Sequence, residues 1–451
     1  VAVAAAIVLA AALQLWRAPT RRPDVFLVTV DTLRADSLGC YGRVGAGTHA
    51  FDRIAREGVL FEDVLAPMPL TRPSHFSIMT SQPPRSHGVV NNSLTLPNEA
   101  VTLPELFRAA GYDTIGSVAV KLLGPESGAA QGFDAFDAPS EPPRWPGSDA
   151  LEHVATRLAK RADGRPVFAW LHVFEPHIPY VSHREPASEP SEISWPMLLD
   201  VAARNQGAIP AAVFNRARQL YEEEVTEADR VLGGLLQLLD RSDTPTLLAV
   251  TADHGECFEN GVFFEHADCL HESALRVPLL LRFPGHLKPD RRRDAVELRL
   301  LGPTLLRLAG LEHHPSFDRE TLLEPAESPI YFESPLFTSE AAANADALTV
   351  RHQEIRQVAG QPVRPLTPFV PQFGVRWQRW KYVVAGDLEE LFDLRLDPLE
   401  RQNVAFSRRE VADEMRRLQS TWLREHPLKS LSESAAGPEL QETLRSLGYL
   451  R

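Results

Sequence analysis

Cysteine is scarce in this 451-residue chain. There are three, Cys40, Cys257 and Cys269, too few for a disulfide framework and without the CxxC spacing of a structural zinc site. Cys257 and Cys269 flank one loop, and pairing between them requires an oxidising compartment and suitable geometry. An excess of positive charge is also missing. Lys and Arg number 47 against 60 Asp and Glu, a net charge of −13, which argues against nucleic acid as the main partner. No internal repeat is present. Long apolar runs are absent with one exception: residues 1–16 are almost wholly apolar and are followed by Arg17, Arg21 and Arg22. As a helix that run spans about 24 Å, against roughly 30 Å of bilayer hydrocarbon. It reads as a signal-peptide core or an uncleaved membrane anchor, the anchor being preferred because no A-x-A cleavage site follows. A buried core helix is the alternative. Either targeting reading predicts a periplasmic or extracellular protein, with the membrane contacted through its N-terminus.

The remaining composition, 44% hydrophobic and 24% charged, is ordinary for a globular protein, and the length allows one large domain with a smaller one. Apolar runs at 24–31, 59–65, 113–120, 166–173, 245–252 and 276–283 predict strands. Helical patterns at 48–57, 101–110, 151–162 and 211–239 alternate with them. The longest carries a heptad-like stripe through Leu220, Val225, Ala228, Val231, Leu235 and Leu238. This alternation predicts an α/β fold with a mostly parallel sheet sandwiched by helices. Stretches 185–195 and 360–372, rich in Pro and polar residues, predict loops. Short antiparallel strands at 329–334, 374–385 and 388–394, then a helix at 408–425, predict a small C-terminal subdomain. The division is therefore an N-terminal segment 1–22, a catalytic α/β domain 23–325, and a C-terminal α+β part 326–451.

In such sheets ligands collect beyond the carboxyl ends of the strands. Asp31 and Asp253-His254 stand at two predicted strand ends. Thr71, in Leu70-Thr71-Arg72-Pro73-Ser74-His75, opens a predicted helix, where unpaired N–H groups and the helix dipole favour an anionic ester. Taken alone, Thr71 is explained as a helix cap. Taken with Asp31, Asp253 and His254 it completes a set of hard oxygen and imidazole ligands for a divalent metal. A bound cation is what a weak hydroxyl nucleophile needs at neutral pH.

These pieces resemble the sulfatase family of the alkaline phosphatase superfamily. The matching stretches include VTVDTLRADSLGCYG, LTRPSHFSIMTSQPPRSHGV, HVFEPHIPY, YEEEVTEADRVLGGLL, TADHGE, LRVPLLLRFPG, ELFDLRLDP and LRSLGYL, in family order from Asp24 onward. The resemblance implies an alkaline phosphatase-like fold with a small C-terminal antiparallel sheet. It implies metal ligands Asp31, Thr71, Asp253 and His254, with calcium the family's usual ion and zinc, manganese or magnesium open. It implies catalytic roles for Thr71, His177 and His266, and substrate contacts from Lys121 and His75. The substrate would be a small anionic ester: a sulfated or phosphorylated glycan, lipid or aryl ester.

The chain also departs from the family pattern. The activating C/S-x-P-S-R motif, whose first residue becomes formylglycine, reads T-R-P-S-H here. Oxidising Thr71 would give a ketone rather than an aldehyde, so Thr71 is read as a direct nucleophile and His75 stands in place of an Arg. Thr32 stands where many members carry a second metal Asp, and Glu175 replaces an Asp. Glu175, His177, Glu256, His266 and His271 are candidates for a second site serving the hydrolytic step. Two other readings compete with hydrolysis: a membrane-anchored phosphoethanolamine-type transferase and a catalytically silent anion-binding homologue.

Overall fold

The computed structural model describes residues 22–161, 164–183, 190–324, 328–336, 354–364 and 370–429. The apolar N-terminal run, parts of both Pro-rich stretches and the closing LRSLGYL lie outside them. Among the described residues no helix is long and apolar enough to cross a membrane.

Strand β1 (Asp24–Val30) is followed by helix α1 (His49–Glu57), strand β2 (Val59–Leu65) and helix α2 (Thr71–Thr80). Helix α3 (Leu103–Ala109) precedes β3 (Asp113–Val118) and the short β4 (Ala135–Asp137). Helix α4 (Gly147–Ala159) leads into β5 (Val167–Val173), and α5 (Ala211–Leu239) into β6 (Thr246–Ala252). A hairpin, β7 (Cys257–Glu259) with β8 (Val262–Glu265), comes before β9 (Arg276–Arg282), β10 (Asp290–Arg292) and α6 (Leu301–Leu308).

The main sheet runs β10-β2-β9-β6-β1-β5-β3-β4. β1 pairs in parallel with β5 and β6, and β3 in parallel with β4 and β5. β9 is reversed, pairing antiparallel with β6 and β2. Every residue of β1, β5 and β6 is buried, as expected of central strands covered by helices on both faces. Because β9 alone runs backwards, β1, β2, β3, β5 and β6 all end at one edge.

The C-terminal sheet is antiparallel, in the order β11 (Ile330–Glu333), β12 (Gln372–Trp377), β13 (Trp380–Ala385), β14 (Leu388–Asp393). Helix α7 (Arg409–Glu425) sets Ala412 and Met415 against Val375, Tyr382 and Leu391 of this sheet.

Candidate active site

Two metal-type carboxylates meet because of strand register. β1 and β6 pair with Val30 opposite Ala252. The next residues, Asp31 and Asp253, therefore leave neighbouring strands at the same level, with strands about 4.8 Å apart. His254 follows directly. Ligand atoms of Asp31, Asp253 and His254 lie within 4.8 Å of one another. Gly255 allows this turn: a Cβ there would sit 2.1 Å from the Ser273 carbonyl oxygen.

Helix α2 is buried along its whole length, and its first residue is Thr71. Leu70, not Thr71, is the N-cap, and no side chain caps the helix. Thr71 Oγ1 is buried without a hydrogen-bond partner among the described residues, so the capping explanation of this residue falls. Ser74 Oγ donates to the Asp253 carbonyl oxygen at 2.6 Å, which pins the start of α2 against the end of β6.

The site holds a cluster of unsatisfied ligand atoms. Both Asp31 carboxylate oxygens, Thr71 Oγ1, Asp253 Oδ2 and His254 Nε2 are buried and lack hydrogen-bond partners among the described residues. Such atoms normally cost about 1–3 kcal/mol each or more. Burial raises the pKa of Asp31, and burial together with Asp31 raises that of Asp253. Burial holds His254 well below the ordinary imidazole value. A deprotonated imidazole beside two crowded carboxylates and a hydroxyl is a donor set that a divalent cation satisfies.

His266 lies across from His254, ring centroids 4.5 Å apart, and His177 lies 5.4 Å from His266. His177 Nδ1 is 2.6 Å from the Ile178 carbonyl oxygen. His266 Nδ1 is 3.3 Å from Glu256 Oε1, and Tyr180 donates to the other Glu256 oxygen at 3.1 Å. Burial lowers the His266 pKa, but Glu256, Glu265 and Asp31 together outweigh burial and the net result is about 9. A disulfide between Cys257 and Cys269 closes the loop that carries His266.

His75 is wholly buried and its ring nitrogens are turned to the protein's own groups. Its Nδ1 lies 2.7 Å from the Thr71 carbonyl oxygen and its Nε2 3.0 Å from Thr29 Oγ1. Residue 75 is one helical turn beyond residue 71, so the ring folds back under Thr71. Lys121 stands just past β3 at the same sheet edge, with its amine 3.5 Å from Glu141. The proposed second cluster does not converge. Glu175 accepts the Gly147 N–H at the start of α4, and His271 pairs with Glu400 at 3.3 Å. Only Glu256, His266 and His177 stay together.

Two residues beside Thr71 carry no sequence signal. Asn92 Oδ1 accepts the Arg72 N–H at 3.0 Å, which places the Asn92 amide beside Thr71. Its Nδ2 is buried and has no partner among the described residues. Arg72 is fully buried and donates through Nε to Leu122 and through Nη1 to Leu94. Burial lowers its pKa to about 10, so it remains a cation at neutral pH.

Residues 23–311 match the Sulfatase family. An ulvan-active sulfatase of Formosa agariphila is 24% identical, the match covering 86% of this chain and 77% of that one. A choline-sulfatase of Rhizobium meliloti is 24% identical over 88% of this chain and 85% of its own length. A solved structure in complex with its substrate D-glucosamine-2-N,6-O-disulfate superposes with a TM-score of 0.70 at 18% identity, covering 92% of this chain and all of that one. A phosphonate monoester hydrolase of Agrobacterium radiobacter superposes at 0.69 with 19% identity, covering 90% and 96%. With the family match spanning every strand of the main sheet, the chain belongs to the sulfatase family of sulfuric ester hydrolases.

Proposed function

We propose that the chain is a metal-dependent hydrolase of sulfate or phosphate esters that uses Thr71 as its nucleophile. The observation that carries this reading is the buried, unpartnered Thr71 hydroxyl at the same sheet edge as Asp31, Asp253 and His254. A bound divalent cation, held by Asp31, Asp253, His254 and Thr71, would stabilise the Thr71 oxyanion and offset the charge of the ester. Calcium follows from the family resemblance, while the imidazole also suits manganese or zinc.

Thr71 Oγ1, its proton lost to solvent, attacks sulfur or phosphorus. The bond to the leaving oxygen breaks with its electron pair, and protonated His266 supplies that oxygen with a proton. A covalent ester on Thr71 remains. Water then attacks it and gives one proton to the neutral His266. Sulfate or phosphate departs and the Thr71 oxygen is restored. His177, Lys121 and the Asn92 amide supply contacts for the oxygens of the transferred group. The relatives named for ulvan, choline and glucosamine sulfates support a small anionic ester, and the phosphonate hydrolase supports phosphorus as a second centre. The Cys257–Cys269 disulfide supports an oxidising, periplasmic or extracellular location.

The test is a panel of chromogenic sulfate, phosphate monoester, diester and phosphonate substrates, run with metal analysis on the wild type and Thr71→Ala. Turnover of the variant should fall by about three to four orders of magnitude. Mass spectrometry of the wild type quenched during turnover should show one transferred group on the Thr71 peptide. Unchanged turnover in the variant would assign the attack to water. A wild type with no bound metal and no activity on the panel would favour the silent homologue.

A further inference from the structure

Behind the two carboxylates lie two imidazoles to which the reaction gives no task. His172 and His75 are both wholly buried, with ring centroids 5.2 Å apart. Each approaches a different carboxylate: His172 Nε2 is 3.4 Å from Asp31 Oδ2, and His75 Nδ1 is 3.4 Å from Asp253 Oδ2.

The hydrogen bonds fix which nitrogen carries the proton on each ring. The backbone N–H of Ala119 donates to His172 Nδ1 at 3.3 Å. That nitrogen is the acceptor, so the proton sits on Nε2 and points at Asp31. His172 Nε2 has no hydrogen-bond partner among the described residues, and neither does Asp31 Oδ2. On His75 the chain of donors is longer. Trp170 Nε1–H donates to Thr29 Oγ1 at 2.9 Å. The Thr71 carbonyl oxygen at His75 Nδ1 can only accept, so the ring proton sits on Nδ1 and the Thr29 hydroxyl hydrogen goes to His75 Nε2 at 3.0 Å. Nε2 then accepts, and Nδ1–H points at the Thr71 carbonyl oxygen at 2.7 Å, with Asp253 Oδ2 3.4 Å from the same nitrogen.

We propose that His172 and His75 are a pair of positioning residues for the metal site, each set to donate one hydrogen bond to one oxygen of a metal-binding carboxylate. The 3.4 Å separations are a few tenths of an ångström beyond a normal hydrogen bond and close when a cation draws the carboxylates into place. His172 turns Asp31 Oδ2 away from the cation and leaves Oδ1 facing it. On Asp253 the N–H groups of Thr32 and His254 already occupy Oδ1, so His75 aligns Oδ2, the oxygen left for the cation beside His254 Nε2. His75 has a second effect, because the same N–H grips the first turn of α2 and ties the nucleophile's backbone to Asp253. A histidine at this position thus exchanges the charge of the family's arginine for a bridge between nucleophile and ligand. Outer partners of metal ligands are commonly worth 10- to 100-fold in affinity.

This inference rests on the cation reading of the site. The experiment titrates metal-stripped protein with Mn²⁺ and with Ca²⁺ by calorimetry and reads the Kd, with the metal-free melting temperature as a check on folding. In His172→Gln the amide reaches the Nε2 position and should hold Kd within about threefold. His172→Leu should raise it about 10- to 100-fold. His75→Asn, whose amide reaches the Nδ1 position, should likewise retain affinity that His75→Leu loses. If a leucine variant does not fold, His172→Asn replaces it, since that amide falls short of Asp31. Equal Kd values for the Gln variant and either the Leu or Asn variant overturn the proposal while leaving the metal reading intact. A wild type that binds neither ion overturns both.

Discussion

Thr71 and Thr32 show how differently one residue type is used at this site. Thr71 opens a helix and keeps its hydroxyl unpaired. Thr32 follows Asp31 with φ of +53°, a left-handed conformation that a β-branched residue adopts at a cost of order 1–3 kcal/mol. The strain is held by neighbours: Tyr221 donates to the Thr32 carbonyl oxygen at 2.8 Å, and the Arg34 N–H donates back to the Tyr221 oxygen at 3.0 Å. Asp tolerates this conformation better than Thr and would add a carboxylate to the cluster. Opposite charges 4 Å apart are worth about 4 kcal/mol at an effective dielectric of 20, most of it cancelled by desolvation. Thr32→Asp should therefore tighten Mn²⁺ or Ca²⁺ binding about tenfold, read as a calorimetric Kd. Unchanged or weaker binding would show that position 32 points away from the ion. Asp31, Asp253 and His254 were legible in the sequence because a strand end needs only its own apolar run to be located. Asn92 and Arg72 were not, because their places depend on bonds to Leu94 and Leu122 and to each other across loops without periodicity. The backward fold of His75 was equally invisible, since its partner Thr29 lies on another element.

Elements were legible where one face decides burial. Strands β1, β5 and β6 appeared as unbroken apolar runs because both their faces are covered. The stripe on α5 held from Leu220 to Leu235 and then drifted: Leu232, Leu236 and Leu239 are buried, while Leu238 is half-buried. A 3.6-residue helix walks off a 3.5-residue repeat, and the sheet, not a coiled-coil partner, fixes the buried face. The direction of β9 has no local signature at all, since reversal is a property of connections. Glu175 belongs at this scale, because its carboxylate takes the Gly147 N–H at the start of α4. Burial, reinforced by Glu224, lifts its pKa from 4.5 to about 7. Its stabilising effect is thus complete below pH 4.5 and is lost as pH rises toward 7, because the unfolded chain ionises first. Glu175→Gln keeps an acceptor for Gly147 without the charge. It should match the wild type in stability near pH 4.5 and exceed it by about 1–2 kcal/mol at pH 8, the shift being discounted for partial exposure. Urea midpoints at the two pH values measure this, and an equal difference at both would exclude Glu175 as the titrating group.

At the scale of the molecule, the two sheets are joined by buried charge. Arg376 of β12 donates to Asp63 of β2 at 2.7 Å and to Glu272 at 2.9 Å. Lys381 of β13, with no exposed side-chain surface, reaches Glu272 at 3.1 Å and Glu400 at 2.7 Å. Glu400 in turn accepts the Glu272 N–H at 2.6 Å. A buried ion network adds little over an apolar contact when intact, but breaking it strands the remaining charges. Burial opposes ionisation of Glu400, yet Lys381 and His271 together outweigh it and hold the carboxyl at about 2. The depressed value means that this pairing stabilises the protein above about pH 4.5 and is lost only as pH falls toward 2. Lys381→Met keeps the chain's volume and removes the cation, leaving Glu272 and Glu400 facing each other. The variant should lose about 3–5 kcal/mol at pH 7. It should recover part of that loss as pH is lowered through 5, because protonating either glutamate relieves the repulsion. The segment from His266 to Arg276 connects this network to the active-site loop, so turnover should fall at temperatures where the wild type is still fully active. A loss under 1 kcal/mol with no pH dependence would mean that apolar packing alone, including Leu65 and Leu275 against Ile330 and Phe332, holds the two sheets together.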